Sequence, residues 1–162
     1  MRSCRRPKLF AALFFSSVLL TASHECYGFE SKRVAFAKGM QLALGGSFQD
    51  AGYEFRKVLD IDPFYKPAKM NLEVIKNVVD DKIKKETATY IFRGADYADQ
   101  MLFDEANNQF TKAIIFEPGY AHSYIRRGLI YMYKGLYNQA TADFDKAIAI
   151  SEKTGGFGGE EM

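Results

Sequence analysis

The sequence predicts an all-α protein built from helical hairpins that repeat along the chain, and three observations predict it. Shifting the 162-residue sequence by 34 positions gives 11 identities within residues 90–148, clustered at small and aromatic residues. A looser third copy lies 55 positions upstream of the second. Between these two copies, apolar residues of the segment 66–86 recur at helical spacing. We therefore expect a solenoid of about three hairpins plus one extra helix.

The repeated residues are those expected where the two antiparallel helices of a hairpin, A and B, pack together. Gly94 and Gly128 fall in the middle of an A helix, where glycine costs about 1 kcal/mol relative to alanine. A close approach of the B helix compensates for this cost. Gly135 marks a turn between helices, and Pro118 ends a B helix. The predicted packing residues are Gly39, Ala51, Phe55, Tyr90, Gly94, Tyr97, Ala106, Phe110, Pro118, Tyr124, Gly128, Tyr131, Ala140 and Phe144.

This period and these residue types resemble the tetratricopeptide repeat (TPR), which has a 34-residue period and fixed aromatic, Gly, Ala, Phe and Pro positions. The resemblance covers residues 31–153. Tyr or Ala replaces the usual Trp, Arg or Lys replaces the Leu before Gly, and Glu152 replaces the last Pro. The resemblance implies a helical-hairpin solenoid that binds protein partners along the concave face of its A helices.

The repeats divide the chain into six segments. We predict a signal peptide at 1–28, a first repeat at 31–65, an inserted helix at 66–86, a second repeat at 87–120, a third at 121–153 and a flexible Gly-rich tail at 154–162. The insert predicts a helix over 68–84, either separate or continuous with the next helix. A lone helix shifts the alternation of A and B helices, so the first repeat is not expected to share a continuous groove with the others.

The first 28 residues have the three regions of a secretory signal peptide. A basic head containing Arg2 and Lys8 precedes the apolar run 9–20, which is shorter than the roughly 20 residues that span a bilayer. Small residues allow cleavage after Ser23 or, preferably, after Gly28. We expect an exported protein, periplasmic or secreted, that contacts the membrane only through this segment before cleavage. A buried first helix is the alternative.

The remaining residues show no pattern typical of catalysis. Residues 29–162 carry 18 basic and 19 acidic side chains, which argues against nucleic-acid binding. We find no metal-ligand spacing, no phosphate-binding loop and no nucleophile–base pair, so we expect no enzyme activity, no cofactor, no metal and no small-molecule substrate. Arg127 and Asp143 stand at repeat positions that face each other across a hairpin, which predicts a structural ion pair.

The expected function is therefore to bind a protein partner. TPR proteins that hold acidic C-termini carry Lys and Asn in the groove, whereas apolar residues occupy those positions here, which favours an apolar peptide or helix. The alternative is that some of these side chains are buried between repeats. Leu129, Met132 and Tyr133 are the strongest groove candidates. The predicted groove residues are Phe36, Met40, Ile91, Asp99, His122, Ile125, Leu129, Met132 and Tyr133.

The C-terminal end offers an alternative function. Repeat arrays usually end in a polar capping helix, but glycines follow the third repeat directly. The outer face of the last helix, with Ala140, Phe144, Ala147, Ile148 and Ile150, is expected to lack a cover. A self-associating structural component of an envelope assembly is therefore the second hypothesis.

Overall fold

The computed structural model describes residues 18–154, with side chains from residue 31, and every regular element in this range is a helix. This confirms the all-α prediction. The helices are α1 (Val18–Leu44), α2 (Phe48–Ile61), α3 (Lys66–Val79), α4 (Lys85–Asp99), α5 (Phe103–Phe116), α6 (Ala121–Tyr133) and α7 (Tyr137–Thr154).

Three pairs of helices pack side by side as hairpins: α1 with α2, α4 with α5, and α6 with α7. In each pair, a glycine of the first helix lies against a phenylalanine ring of the second. A Cβ atom built on Gly94 would lie 2.5 Å from Cε1 of Phe110, closer than real Cβ atoms approach a ring. The equivalent distances are 2.8 Å for Gly39 and Phe55 and 2.7 Å for Gly128 and Phe144.

The turns that close the three hairpins share a residue with positive φ. This residue is Gly46 in the first hairpin (φ 81°) and Gly135 in the third (φ 73°). In the second hairpin it is Met101, with φ 61°. A left-handed backbone costs a side-chain-bearing residue about 1–2 kcal/mol, so the second turn is strained where the others are not.

The inserted helix is shorter than the sequence predicts. α3 ends at Val79 rather than at residue 84, and α4 begins separately at Lys85. The connection turns at Asp81, whose φ is 54°, and the backbone N–H of Lys82 donates to the carbonyl oxygen of Asn77 at 2.8 Å. Asp tolerates this backbone conformation better than most residues, so the helix stops without Gly or Pro.

The core of the described residues is one large cluster and two small ones. The large cluster joins α1, α2, α3 and α4, and the rings of Phe55 and Phe92 stack at 6.4 Å within it. α3 contributes Val74, Ile75 and Val78, so the insert is part of the core. The small clusters surround Phe110 and Tyr124.

α1 begins well before the predicted start of the first repeat. It runs through both predicted cleavage positions, Ser23 and Gly28. Residues 1–17 and 155–162 lie outside the described residues, so the signal peptide and most of the Gly-rich tail stay predictions. None of the described helices combines the length and apolar character needed to cross a membrane.

Candidate protein-interaction surface

The predicted groove residues of the first repeat are largely covered. Met40 is buried in the large core cluster. Phe36 is partly buried, with its ring 5.5 Å from that of Phe55 and 5.4 Å from that of Tyr65. The prediction that Met40 lines an open groove is therefore wrong, because Met40 packs into the core that α1 shares with α2, α3 and α4.

The second repeat contributes only one exposed residue to the predicted groove. Ile91 is fully buried in the same core cluster as Val74 and Val78 of α3, so it is a core residue and not a groove residue. Asp99 is exposed at the C-terminal end of α4. Its pKa is raised mainly by partial burial of the carboxyl group and further by the neighbouring Asp96.

A buried chain of polar contacts explains why the groove is closed here. The guanidinium Nη2 of Arg126 donates to Oδ1 of Asn71 at 2.8 Å, and Nδ2 of Asn71 donates to Sδ of Met40 at 3.2 Å. These three residues belong to α6, α3 and α1, so α3 lies between the first and third A helices. Burial lowers the pKa of Arg126 to about 10. The inserted helix thus occupies space where the resemblance predicts an open concave face.

His122 belongs to the same closed region. Its Nε2 lies 3.2 Å from Oε2 of Glu73 on α3, and its ring stacks on Tyr120 at 5.5 Å. The contact with His122 lowers the pKa of Glu73, whereas burial raises the pKa of Tyr120 to about 12. Nδ2 of Asn77 donates to the Tyr120 hydroxyl at 3.1 Å. His122 therefore helps to attach α3 to α6.

The remaining groove candidates lie on α6 and become more exposed toward its end. Ile125 is partly buried against a small core cluster, and Leu129 is also partly buried. Met132 is 44% exposed and Tyr133 is 72% exposed. The open part of the predicted groove is thus its end at the third repeat.

This open end continues into the turns of the second and third hairpins. The ring of Phe103, which begins α5, stacks on the ring of Tyr133 at 5.9 Å and joins the two turns. Met101 is the most exposed apolar residue there, at 76%. We call this surface the turn patch, and its exposed apolar members are Met101, Leu102, Met132, Tyr133, Leu136 and Tyr137.

Polar and charged side chains next to the turn patch contact each other. Nζ of Lys134 forms an ion pair with Asp104 across the two turns. Nε2 of Gln100 donates to Oδ2 of Asp96 at 2.9 Å. The Gln100 amide does not neutralise the Asp96 carboxylate, so this carboxylate and exposed Asp99 make the border of the apolar patch acidic.

Sequence reasoning found Met132 and Tyr133 but missed four members of the patch, which are Met101, Leu102, Leu136 and Tyr137. Met101 carried a usable signal, because it stands where the other two hairpins have glycine in the turn. A side chain placed on a tight, exposed turn points into solvent, where it can meet a partner.

Ion pairs across the hairpins are structural, as predicted for Arg127 and Asp143. Nη2 of Arg127 lies 2.7 Å from Oδ1 of Asp143, and Nε donates to Oδ2 at 2.8 Å. This two-point contact raises the pKa of Arg127. In the first hairpin, Lys38 and Glu54 take the equivalent positions, with Nζ 2.7 Å from Oε1.

The outer face of α7 is less apolar than the sequence suggested. Ala140 and Ala147 are buried, and Phe144 is partly buried against Gly128. Ile148 is the one large apolar residue of α7, beyond the turn-patch residue Tyr137, that is mainly exposed, at 52%. The expectation of an uncovered apolar face is therefore wrong for Ala140 and Ala147. Among the described residues, no cluster of three or more His, Cys, Asp or Glu side chains could hold a metal ion.

Repeated hairpins closed by glycine–phenylalanine contacts define a helical-repeat protein. Residues 121–154 match the family model of the tetratricopeptide repeat. The third hairpin is therefore a tetratricopeptide repeat, as the sequence predicted, and the other two hairpins repeat its glycine–phenylalanine packing. Such repeats form protein-interaction modules.

A comparison with curated protein sequences gives no match. Among solved structures, that of MamA aligns at 24% sequence identity with a TM-score of 0.42. The alignment covers 78% of this chain and 81% of the MamA chain.

Proposed function

We propose that this protein is a non-catalytic adaptor that binds an apolar peptide or helix of a partner protein at the turn patch and the adjoining end of α6. The observation that carries the proposal is the exposure of six large apolar side chains at two neighbouring turns and the adjoining end of α6. Clustered apolar side chains on a protein surface are typical of interaction sites. Met and Tyr, which make up most of the patch, are enriched in protein interfaces.

The strained turn supports this proposal. Met101 adopts a left-handed backbone that glycine adopts without cost, and its side chain is largely exposed. Backbone strain of this kind is often retained where a side chain serves binding. A methionine side chain also adapts its shape to a partner more readily than a branched one.

The proposal is tested by capture of a partner on the full chain and measurement of its affinity with the purified partner by calorimetry. We expect the double variant Met101→Glu with Met132→Glu to bind at least ten times more weakly, a loss of about 1.4 kcal/mol. Val34→Glu is the matched control, because Val34 is exposed on α1 away from the patch. Equal binding by the double variant and the native chain contradicts the proposal.

The predicted signal peptide indicates where the protein acts. We propose that the protein acts in the periplasm or outside the cell, supported by the basic and apolar segments of residues 1–28. Mass spectrometry of the protein isolated from its native cells tests this. A mature N-terminus at Phe29, or at His24, supports export, and an intact N-terminus contradicts it.

Self-association is the alternative, and light scattering distinguishes it. The outer face of α7 exposes Ile148 but buries Ala140 and Ala147, which leaves little apolar area for a stable contact. We therefore rank binding at the turn patch above self-association through α7. A mass that rises with concentration and falls to the monomer value in Ile148→Glu would reverse this order.

A further inference from the structure

α3 is an A-type helix without a B helix. It begins three residues after Pro63, just as α6 begins three residues after Pro118. α7 follows α6 and completes its hairpin. The helix after α3 is instead α4, which forms its own hairpin with α5. One face of α3 therefore lacks the cover that the equivalent face of α6 receives.

The uncovered face can be identified by the 55-residue offset between the two helices. Leu72 and Glu73 of α3 correspond to Arg127 and Gly128 of α6, which both contact α7. In α3 the corresponding side lines an open cleft of about 530 Å³ between α2 and α3. The cleft thus lies where a B helix packs in the other hairpins.

The floor of this cleft is apolar. Leu59 of α2 and Leu72, Ile75 and Val79 of α3 line it, and Val79 is 50% exposed. Gly52 lets the two helices approach, since a Cβ atom at this position would lie 3.3 Å from Cγ2 of Ile75. The floor follows α3 over about two turns, from Leu72 to Val79, which matches the footprint of one helix rather than of a small molecule.

The rim of the cleft has an excess of available positive charge. The rim carries three cations and two carboxylates. Asp80 lies 3.8 Å from Nζ of Lys82, which is outside the lining, and Glu73 lies 3.2 Å from the imidazole of His122. The rim cations without a carboxylate partner among the described residues are Arg56, Lys69 and Lys76.

We propose that this cleft binds one amphipathic helix of a partner protein, with acidic residues beside its apolar stripe. The stripe packs on Leu72 and Val79, and the acidic residues face Arg56, Lys69 and Lys76. The cleft lies on α2 and α3, whereas the turn patch lies on the second and third hairpins. The inference therefore does not rest on the function proposed above.

Fluorescence anisotropy with two labelled 16-residue peptides tests this proposal on the full chain. Both peptides carry Leu at helical spacing i, i+3, i+4 and i+7, and the flanking residues are Glu in one and Lys in the other. We expect the Glu peptide to bind at least ten times more tightly at low salt. This preference decreases at high salt, because ions screen charges at the rim of an open cleft. Equal affinities, or no binding of the Glu peptide, overturn the proposal.

Charge-reversal variants locate the binding. Arg56→Glu with Lys76→Glu is expected to weaken binding of the Glu peptide at least tenfold, and both residues are exposed, so the fold is retained. The matched control is Lys112→Glu with Lys146→Glu, which reverses two exposed charges on α5 and α7. Equal weakening by the two variants overturns the assignment to the cleft. A native chain that dimerises through the cleft, with a dimer lost in the first variant, also overturns it in favour of a second copy.

Discussion

The second and third hairpins are built on the same 34-residue repeat, but different interactions close them. In the third, Arg127 on α6 holds Asp143 on α7 through two short contacts. In the second, Arg93 takes the place of that arginine and Gln109 that of the aspartate. Arg93 is exposed, and Oε1 of Gln109 is buried with no hydrogen-bond partner among the described side chains and backbone.

The turns of these two hairpins also differ, and again the second hairpin has the less favourable residue. The third turn has Gly135 at the left-handed position, and the second has Met101. Both hairpins keep the glycine–phenylalanine contact between their helices. The comparison shows that helix packing constrains the glycine and phenylalanine, while the turn and the ion-pair positions tolerate change. The second hairpin therefore has an exposed apolar side chain at a backbone position where glycine would be less strained.

Breaking the ion pair of the third hairpin should have the largest effect. Arg127→Ala leaves the buried carboxylate of Asp143 without its cation, so the free energy of unfolding is expected to fall by about 3 kcal/mol. Urea denaturation measures this change. Arg93→Ala in the second hairpin is the matched control, with an expected change below about 0.5 kcal/mol because Arg93 is exposed. A loss of partner binding in Arg127→Ala at unchanged stability would contradict the structural role.

The glycine–phenylalanine contact gives the next largest effect. Gly94→Ala places a methyl group 2.5 Å from the ring of Phe110, and the overpacking is expected to cost about 2 kcal/mol, despite the higher helix propensity of alanine. Thermal and urea unfolding measure this cost. Gly119→Ala is the control, since no atom of the described residues beyond the two chain neighbours lies within 4 Å of the new methyl group. Similar stabilities of the two variants would show that the ring moves aside without cost.

Exchanging the turn residues tests the strain in the second hairpin. Met101→Gly is expected to raise the free energy of unfolding by about 1 kcal/mol, because glycine adopts this backbone freely. Gly135→Met should lower it by a similar amount. Urea denaturation checks both, and the calorimetric titration used for the turn patch should show weaker binding for Met101→Gly. A more stable variant with full affinity would exclude Met101 from the binding surface.

The smallest effect is expected from copying the ion pair into the second hairpin. Gln109→Glu places a carboxylate opposite Arg93 and should stabilise the protein by about 0.5 kcal/mol, since one partner is exposed. The gain is expected at pH 7 and should vanish as the pH falls below about 4, where the carboxylate is protonated. Denaturation at both pH values, with Arg93→Ala as background, measures it. An equal gain without Arg93 would indicate a different cause.

The hairpins could be predicted from the sequence because their packing uses residue types that have few substitutes. Gly128 and Phe144 occupy complementary positions, and a larger residue at the first would collide with the second. Arg127 and Asp143 were predictable for the same reason, since the repeat fixes which positions face each other. These contacts lie within one repeat, so the 34-residue spacing determines them.

The position of α3 could not be predicted in this way. Its apolar spacing continues to Ile83, but the chain turns at Asp81, a residue that does not signal a helix end as Gly or Pro does. Met40 contacts Asn71 of α3, a residue that stands in another segment and follows no repeat. The neighbour that covers a groove position is determined by how the helices assemble. Because α3 occurs once and does not repeat, the 34-residue period does not predict where it packs.

The uneven division of the core has a consequence for the order in which the molecule opens. One large cluster joins the first four helices and Ala113 of α5, whereas buried apolar residues of α6 and α7 belong to two small clusters. Backbone amides of α7 should therefore exchange with deuterium sooner than those of α2, since local opening there exposes less apolar surface. The turn patch borders this looser end. A partner bound at the patch should therefore slow hydrogen exchange most in α6 and α7. Binding would then stabilise the part of the protein that opens most easily.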